Sequence, residues 1–282
     1  MDSTQSVTKQ RAAVGSSRCT QLNLQHRMHP ALAAFVSEAF YDGQYHSPSE
    51  ASFAASKSLA LSHFVQPLTF CDVRGSQHKG HEIELANADQ YHRLEKFKSG
   101  LPRQGYANRA EAEQVVSALA ILLRDPALIA IQEEMRRVKD QGPVIGIIAL
   151  YSGQVRLILN MLRERFEIRD AVEEGSKNEC VCQGCLVVVD TVDAFQGKEC
   201  PIVILSFTRS NRRRSVGFVD DPHRLNVALS RAQKKLILVG DSETLTRAKV
   251  RSEQQTFQRL LDHVQQHGEL KRAMREREVS GE

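Results

Sequence analysis

The sequence predicts an α/β fold built on a parallel sheet with helices on both faces. Two observations carry this. The run 144–150 is continuously apolar, as a strand buried on both faces is, and 186–191, 202–207 and 236–239, each dominated by apolar residues, read as further buried strands. Segments with apolar residues three and four apart alternate with them, the pattern of helices crossing between parallel strands. At 282 residues, 41% hydrophobic and 26% charged, the chain has ordinary globular composition and room for one large domain or two small ones.

The elements follow in order. Residues 20–24 read as a strand and 30–41 as a helix with Leu32, Phe35, Val36 and Phe40 inward, followed by a short strand at 68–71. Asn108, with Glu111 three residues on, starts a helix that puts Ala112, Val115, Val116, Leu119, Leu122 and Leu123 on one face. Ser152 is placed to cap the helix after the 144–150 strand, with Val155, Ile158, Leu159, Leu162 and Phe166 inward. Asp221 caps another helix and Pro222 fits its first turn. On that helix Leu225, Ala228, Leu229 and Ala232 share a face, and Arg224 and Arg231 lie two turns apart on one side. The last helix runs from about 243 to 266, with Phe257, Leu260, Leu261 and Val264 on one stripe.

Three stretches depart from this alternation. Residues 74–106, rich in His, Lys, Glu, Gln and Gly, read as a surface insertion. Residues 1–17 read as a polar linker, and 269–282 as a charged, disordered tail. The expected domain therefore spans 18–268.

A formal net charge of +4 permits nucleic-acid binding without indicating it, and the absence of Trp with only 6% aromatic residues argues against a dedicated base-stacking platform. There is no apolar run of membrane-spanning length, and residues 1–21 lack the apolar core of a signal peptide, so the expected location is intracellular, cytoplasmic or nuclear. Cys180, Cys182 and Cys185 are close enough for zinc, but only three ligands are local; reduced thiols without metal are the expectation.

Chemistry is concentrated in a few segments. Arg224 and Arg231 offer two guanidinium forks suited to phosphate oxygens, or are solvated surface arginines. Arg212, Arg213 and Arg214 form a basic loop able to hold a phosphate backbone without reading sequence, or are simply solvated. Residues 220–232, DDPHRLNVALSRA, resemble motif VI of superfamily 1 helicases, in the branch that includes the nonsense-mediated-decay helicase and its nuclease-helicase relatives. QHRMHP at 25–30, the strand ending ALYSGQ at 149–154, and TVDAFQGKE at 191–199 resemble further elements of that family in the same order, with a weaker match at 108–113. The resemblance covers most of 18–245.

The resemblance implies a RecA-like lobe that works with ATP and Mg2+ and with single-stranded DNA or RNA. It implies that Arg27 and Arg231 reach the γ-phosphate and that Glu199 takes the ribose hydroxyls. His26, Gln196, Gly197 and Arg224 fall in the matching nucleotide elements. Thr191, Tyr151 and Gln154 fall, with the 212–214 loop, on the nucleic-acid side. Two departures stand out. His26 replaces the tyrosine that packs adenine, and Ala149-Leu150 replaces a Thr-Pro whose hydroxyl contacts a phosphate. The sequence contains no Gly-x-x-x-x-Gly-Lys-Ser/Thr loop to cradle a triphosphate. The expectation is a second motor lobe that is inactive without a P-loop-bearing first lobe; the alternatives are a non-catalytic binding descendant and an inactive truncated product.

Overall fold

The computed structural model describes residues 22–74, 81–97, 99–138, 142–168, 178–247 and 255–273. Seven strands form one sheet: β1 (Leu68–Asp72), β4 (Ile145–Ala149), β5 (Glu179–Cys182), β6 (Cys185–Thr191), β7 (Cys200–Ser206), β8 (Ala232–Gly240) and β9 (Glu269–Arg272). Their order is β5-β6-β4-β7-β8-β1-β9, parallel throughout except for β5, which pairs antiparallel with β6. Strands β4 and β7 are buried along their whole length, as their uninterrupted apolar runs require. A separate two-stranded ribbon joins β2 (Ile83–Glu84) to β3 (Tyr106–Ala107).

Helices cover both faces, and the chain also forms α2 (Ala51–Lys57), α3 (Ala88–Tyr91) and α5 (Pro126–Arg137). Helices α1 (Pro30–Phe40), α7 (Pro222–Leu229) and α9 (Thr256–His267) close one core around Phe70, Phe207 and Leu238. Helices α4 (Arg109–Leu123) and α6 (Ser152–Arg165) close the other around Ile145, Ile147 and Val189. This is the expected α/β, RecA-like arrangement, which gathers loops at the carboxyl ends of β4, β6, β7 and β8, where ligands bind in such sheets.

Several expectations need correction. Residues 22–24 form no strand; Leu24 makes a single bridge to His46. Ser152 is the first helical residue of α6 and not its cap, a position taken by Tyr151 without a side-chain bond. The final helix is two, α8 (Ser242–Thr246), capped by Asp241, and α9. Helix α7 stops at Leu229, so Arg231 lies in the turn to β8 and does not share a helix with Arg224.

Residues 81–97 and 99–107 of the expected insertion are packed against the domain rather than forming a loose surface loop. Ile83, Leu85, Leu94 and Phe97 are buried in the same core as α4 and α6. The start of the expected charged tail, Glu269–Arg272, is strand β9, held against β1 in parallel register and by Thr69 Oγ1 donating to Glu269 at 2.8 Å. Residues 1–17 and 274–282 lie outside the described residues. No single helix among the described residues is long and apolar enough to cross a membrane.

Candidate functional site

The 25–29 turn that leads into α1 is fixed by its own side chains. Buried Gln25 accepts from Met28 N at 2.7 Å and donates to Met28 O at 2.9 Å and Ser47 Oγ at 2.6 Å. His29 N donates to Gln233 O at 2.8 Å, tying the turn to the start of β8, while the His29 ring caps α1 by accepting from Ala31 N. Arg27 is thereby aimed at the loop before β7. Its Nε donates to Glu199 Oε2 and its Nη1 to Ser230 O at 3.2 Å. Gln233 Nε2 holds the other Glu199 oxygen at 2.8 Å. Burial opposes the charge on Glu199, but these donors and the Arg27 charge outweigh it and keep the carboxyl below its usual range.

Arg231 is 9% exposed, and its guanidinium is spread over neutral acceptors: Val227 O at 2.9 Å, Ser230 Oγ at 2.9 Å and Lys198 O at 3.3 Å. Among the described residues no carboxylate lies within ion-pairing distance of it. Burial first, and then the nearby Arg27 charge, lower its pKa. The rings of Tyr41 and Tyr45 stack 4.9 Å apart, near enough to Arg231 to bear on its charge. A buried cation beside a second cation, with only neutral partners of its own, favours an incoming anion.

The 191–199 segment brings other expected residues to this edge. Gln196 and Gly197 are exposed, with Gly197 at φ +86° in the turn. Arg224 grips Asp193 with two bonds, 3.1 and 3.3 Å, and so joins α7 to this segment. Thr191 Oγ1 accepts from Ala194 N at 3.4 Å, a local turn bond. His26 is exposed and meets Phe53 edge-on at 5.9 Å; Phe53 lies on α2 (Ala51–Lys57), a helix that had no sequence expectation.

Around the carboxyl ends of β4 and β7 the picture differs from expectation. Gln154 and Tyr151 are buried supports and do not line an open groove. Gln154 accepts from Asn108 N at 2.6 Å and donates to Asn108 O and Ser206 Oγ. Glu111 Oε1 accepts from Asn108 Nδ2 at 3.2 Å, and its Oε2 reaches across to the end of β7, accepting from Ser206 Oγ at 2.7 Å and Thr208 N at 2.6 Å. Tyr151 Oη accepts from Arg209 Nη1 at 3.3 Å and Phe218 N at 3.2 Å. Arg209, buried and stacked 3.9 Å over Tyr106, pairs with Glu82 at 3.0 Å, while Glu82 also accepts from Ser210 N. The insertion is thus latched to the loop that leads to Arg212, Arg213 and Arg214. Those three are exposed, and among the described residues only Arg214 approaches a carboxylate, Glu243 at 4.0 Å. Apolar segments pointed to β4 and β7; nothing in their pattern marked Glu82 or Arg209, whose pairing is long-range.

A family model described as an AAA domain matches residues 3–243. The chain belongs to that AAA domain family. The putative regulator of nonsense transcripts 1 of Takifugu rubripes is 31% identical over 240 residues, 84% of this chain and 18% of its own length. The regulator of nonsense transcripts 1 homolog of Arabidopsis thaliana is 28% identical, over 88% of this chain and 16% of its own length. The ATP-dependent helicase NAM7 of Saccharomyces cerevisiae is 29% identical, over 80% and 19%. These relatives support the resemblance to a superfamily 1 helicase C-terminal lobe of the nonsense-decay branch, and the chain spans less than a quarter of their length.

In this AAA domain the two departures noted in the sequence have physical settings. Exposed His26 offers a smaller stacking surface than tyrosine. Ala149 is fully buried at the end of β4, its carbonyl accepting from Val192 N at 3.1 Å. The cysteine cluster is a β5–β6 hairpin with Cys180 and Cys182 sulfurs 3.7 Å apart and all three thiols buried. Among the described residues no cluster of three or more His, Cys, Asp or Glu side chains could hold a metal ion.

Proposed function

We propose that this chain acts as the second motor lobe of an ATP-dependent helicase or translocase on single-stranded DNA or RNA, completed by a P-loop-bearing first lobe in the same or another polypeptide. The observation that carries it is the Arg27–Arg231 pair, one arginine buried among neutral acceptors and the other parked on Glu199. Both suit a polyphosphate entering from the open side. Magnesium would be held by the first lobe, and nucleotide bound between the lobes supplies the bond that is broken. Arg231 and Arg27 neutralise charge that builds on the γ-phosphate oxygens, Glu199 takes ribose hydroxyls once Arg27 turns away, and His26 with Phe53 forms an edge for the base. Arg224, held by Asp193, couples the 191–199 segment to α7.

On the other side, Thr191 and the exposed Arg212, Arg213 and Arg214 contact phosphates without reading sequence. The chain alone is expected to show background ATPase and to become a nucleic-acid-stimulated ATPase when joined to a family first lobe. Substantial turnover by the isolated chain would overturn this reading. Buried Ala149 and the exposed His26 favour a second one, a binding descendant without catalysis; it predicts strand binding with no turnover in the joined protein.

A further inference from the structure

We infer that Phe218 is a base-stacking residue for an unpaired nucleobase of the bound strand. The inference rests on the strand-binding reading above and adds a contact that sequence composition argued against. Phe218 is 57% exposed, an unusual position for a large aromatic ring, and lies in a 3-10 turn (Gly217–Asp220) between the arginine loop and α7. The ring is held rather than loose. Its backbone N–H donates to Tyr151 Oη, and its ring leans on the Tyr151 ring at 5.5 Å. The Arg224 guanidinium lies 5.0 Å from its centroid.

Gly217 shows how closely this turn is fitted. At φ +57°, an added Cβ would lie 2.5 Å from Tyr151 Oη and 3.0 Å from Arg209 Nη1. Only glycine lets the chain approach the hydroxyl that anchors Phe218. The anchor is itself braced by Arg209, which is paired with Glu82 and stacked on Tyr106. Three buried side chains, Tyr151, Arg209 and Glu82, and the half-buried Tyr106 therefore stand behind one exposed ring, and the Arg224 guanidinium sets positive charge beside it. An apolar protein partner would be poorly matched by that surround. A nucleobase beside its own phosphates fits, because every base has a π-face and each phosphate a charge for the guanidinium.

The chain contains no tryptophan, so Phe218→Trp installs a single fluorophore at the proposed contact. Titrated with an oligothymidylate whose binding is followed independently by anisotropy of a label on the strand, its emission is expected to fall in step with binding. An abasic strand of equal length is expected to bind without that quench. Phe218→Ala is expected to weaken the base-bearing strand by roughly five- to a hundredfold and to leave the abasic strand unchanged. Strand binding without a quench, or equal affinity of Phe218→Ala for both strands to that of the natural chain, would overturn the inference while leaving the strand-binding reading intact. No strand binding by the natural chain would overturn both.

Discussion

Arg27 and Glu199 form an ion pair across the edge of the candidate site, with Gln233 holding the free carboxylate oxygen. Both side chains are a third or more exposed, so the pair adds little to stability. Its consequence is functional: the arginine proposed for the γ-phosphate rests on the glutamate proposed for the ribose. Glu199→Ala is expected to leave thermal unfolding nearly unchanged and, in the lobe joined to a first lobe, mainly to raise the Michaelis constant for ATP. Steady-state kinetics check this; a fall in turnover with an unchanged Michaelis constant would place Glu199 elsewhere in the reaction.

Glu111 makes a pH-dependent prediction. Burial pushes its carboxyl from the ordinary 4.5 up to about 8, against the donors Ser206 and Thr208. Between those values the folded chain holds a proton that the unfolded chain has released, so this group's contribution is complete below about 4.5 and is lost as pH rises through 8. Glu111→Gln removes that titration. The variant is expected to be destabilised by about 1–3 kcal/mol at pH 5, with the deficit shrinking towards pH 8.5. Urea unfolding of both proteins across that range measures it.

Lys235 titrates with the opposite sign. Its ammonium is buried and donates to the carbonyls of Phe64, Val65 and Gln66 at 2.6, 3.1 and 2.6 Å. Burial lowers its pKa from 10.5 to about 8, so the unfolded chain holds the extra proton and stability rises as pH climbs from 8 to 10.5. Lys235→Met leaves three carbonyls short of a donor. It is expected to cost roughly 1–3 kcal/mol at pH 7 and to remove the rise above pH 8.

The buried Glu82–Arg209 pair predicts a larger loss. With both side chains under 10% exposed, Arg209→Met strands a carboxylate and is expected to destabilise by about 3–5 kcal/mol. Chemical denaturation measures it, and a change under about 1 kcal/mol would mean that the insertion is not latched through this contact.

The sheet was legible because β4 and β7 are buried along their whole length and written almost wholly in apolar residues, while β6 and β8 carry the apolar stretches 186–189 and 236–239. Asp221-Pro222 and Asn108 with Glu111 marked their helix starts through local capping chemistry. The last turn before β8 was not legible: Ala232 continues the apolar spacing of α7 but belongs to the strand, and periodicity cannot tell a helix end from a turn there. β9 was missed because ELKR is a charged edge strand only partly buried, and its pairing with β1 depends on residues 200 positions away. At the site, the motifs located Arg27, Glu199 and Arg231, which converge. They also singled out Tyr151 and Gln154, whose polar atoms are turned inward to Phe218, Arg209, Asn108 and Ser206. Spacing cannot distinguish a polar group facing a groove from one bracing the loop beneath it.

Neutralising Arg212, Arg213 and Arg214 tests the other face of the lobe. Replacing all three by glutamine is expected to weaken strand binding uniformly across sequences and to flatten the dependence of log affinity on log salt by up to about three phosphate contacts. An unchanged slope would remove the loop from the binding surface.

The most direct measurement is single-turnover ATP hydrolysis by the lobe joined to a P-loop first lobe, with and without Arg231→Ala. The side chain meets charge that develops mainly in the transition state. The variant is therefore expected to lose roughly three to five orders of magnitude in turnover while nucleotide affinity changes little. Turnover indifferent to Arg231, in a joined protein that still binds ATP, would contradict the assignment of this buried arginine to the γ-phosphate.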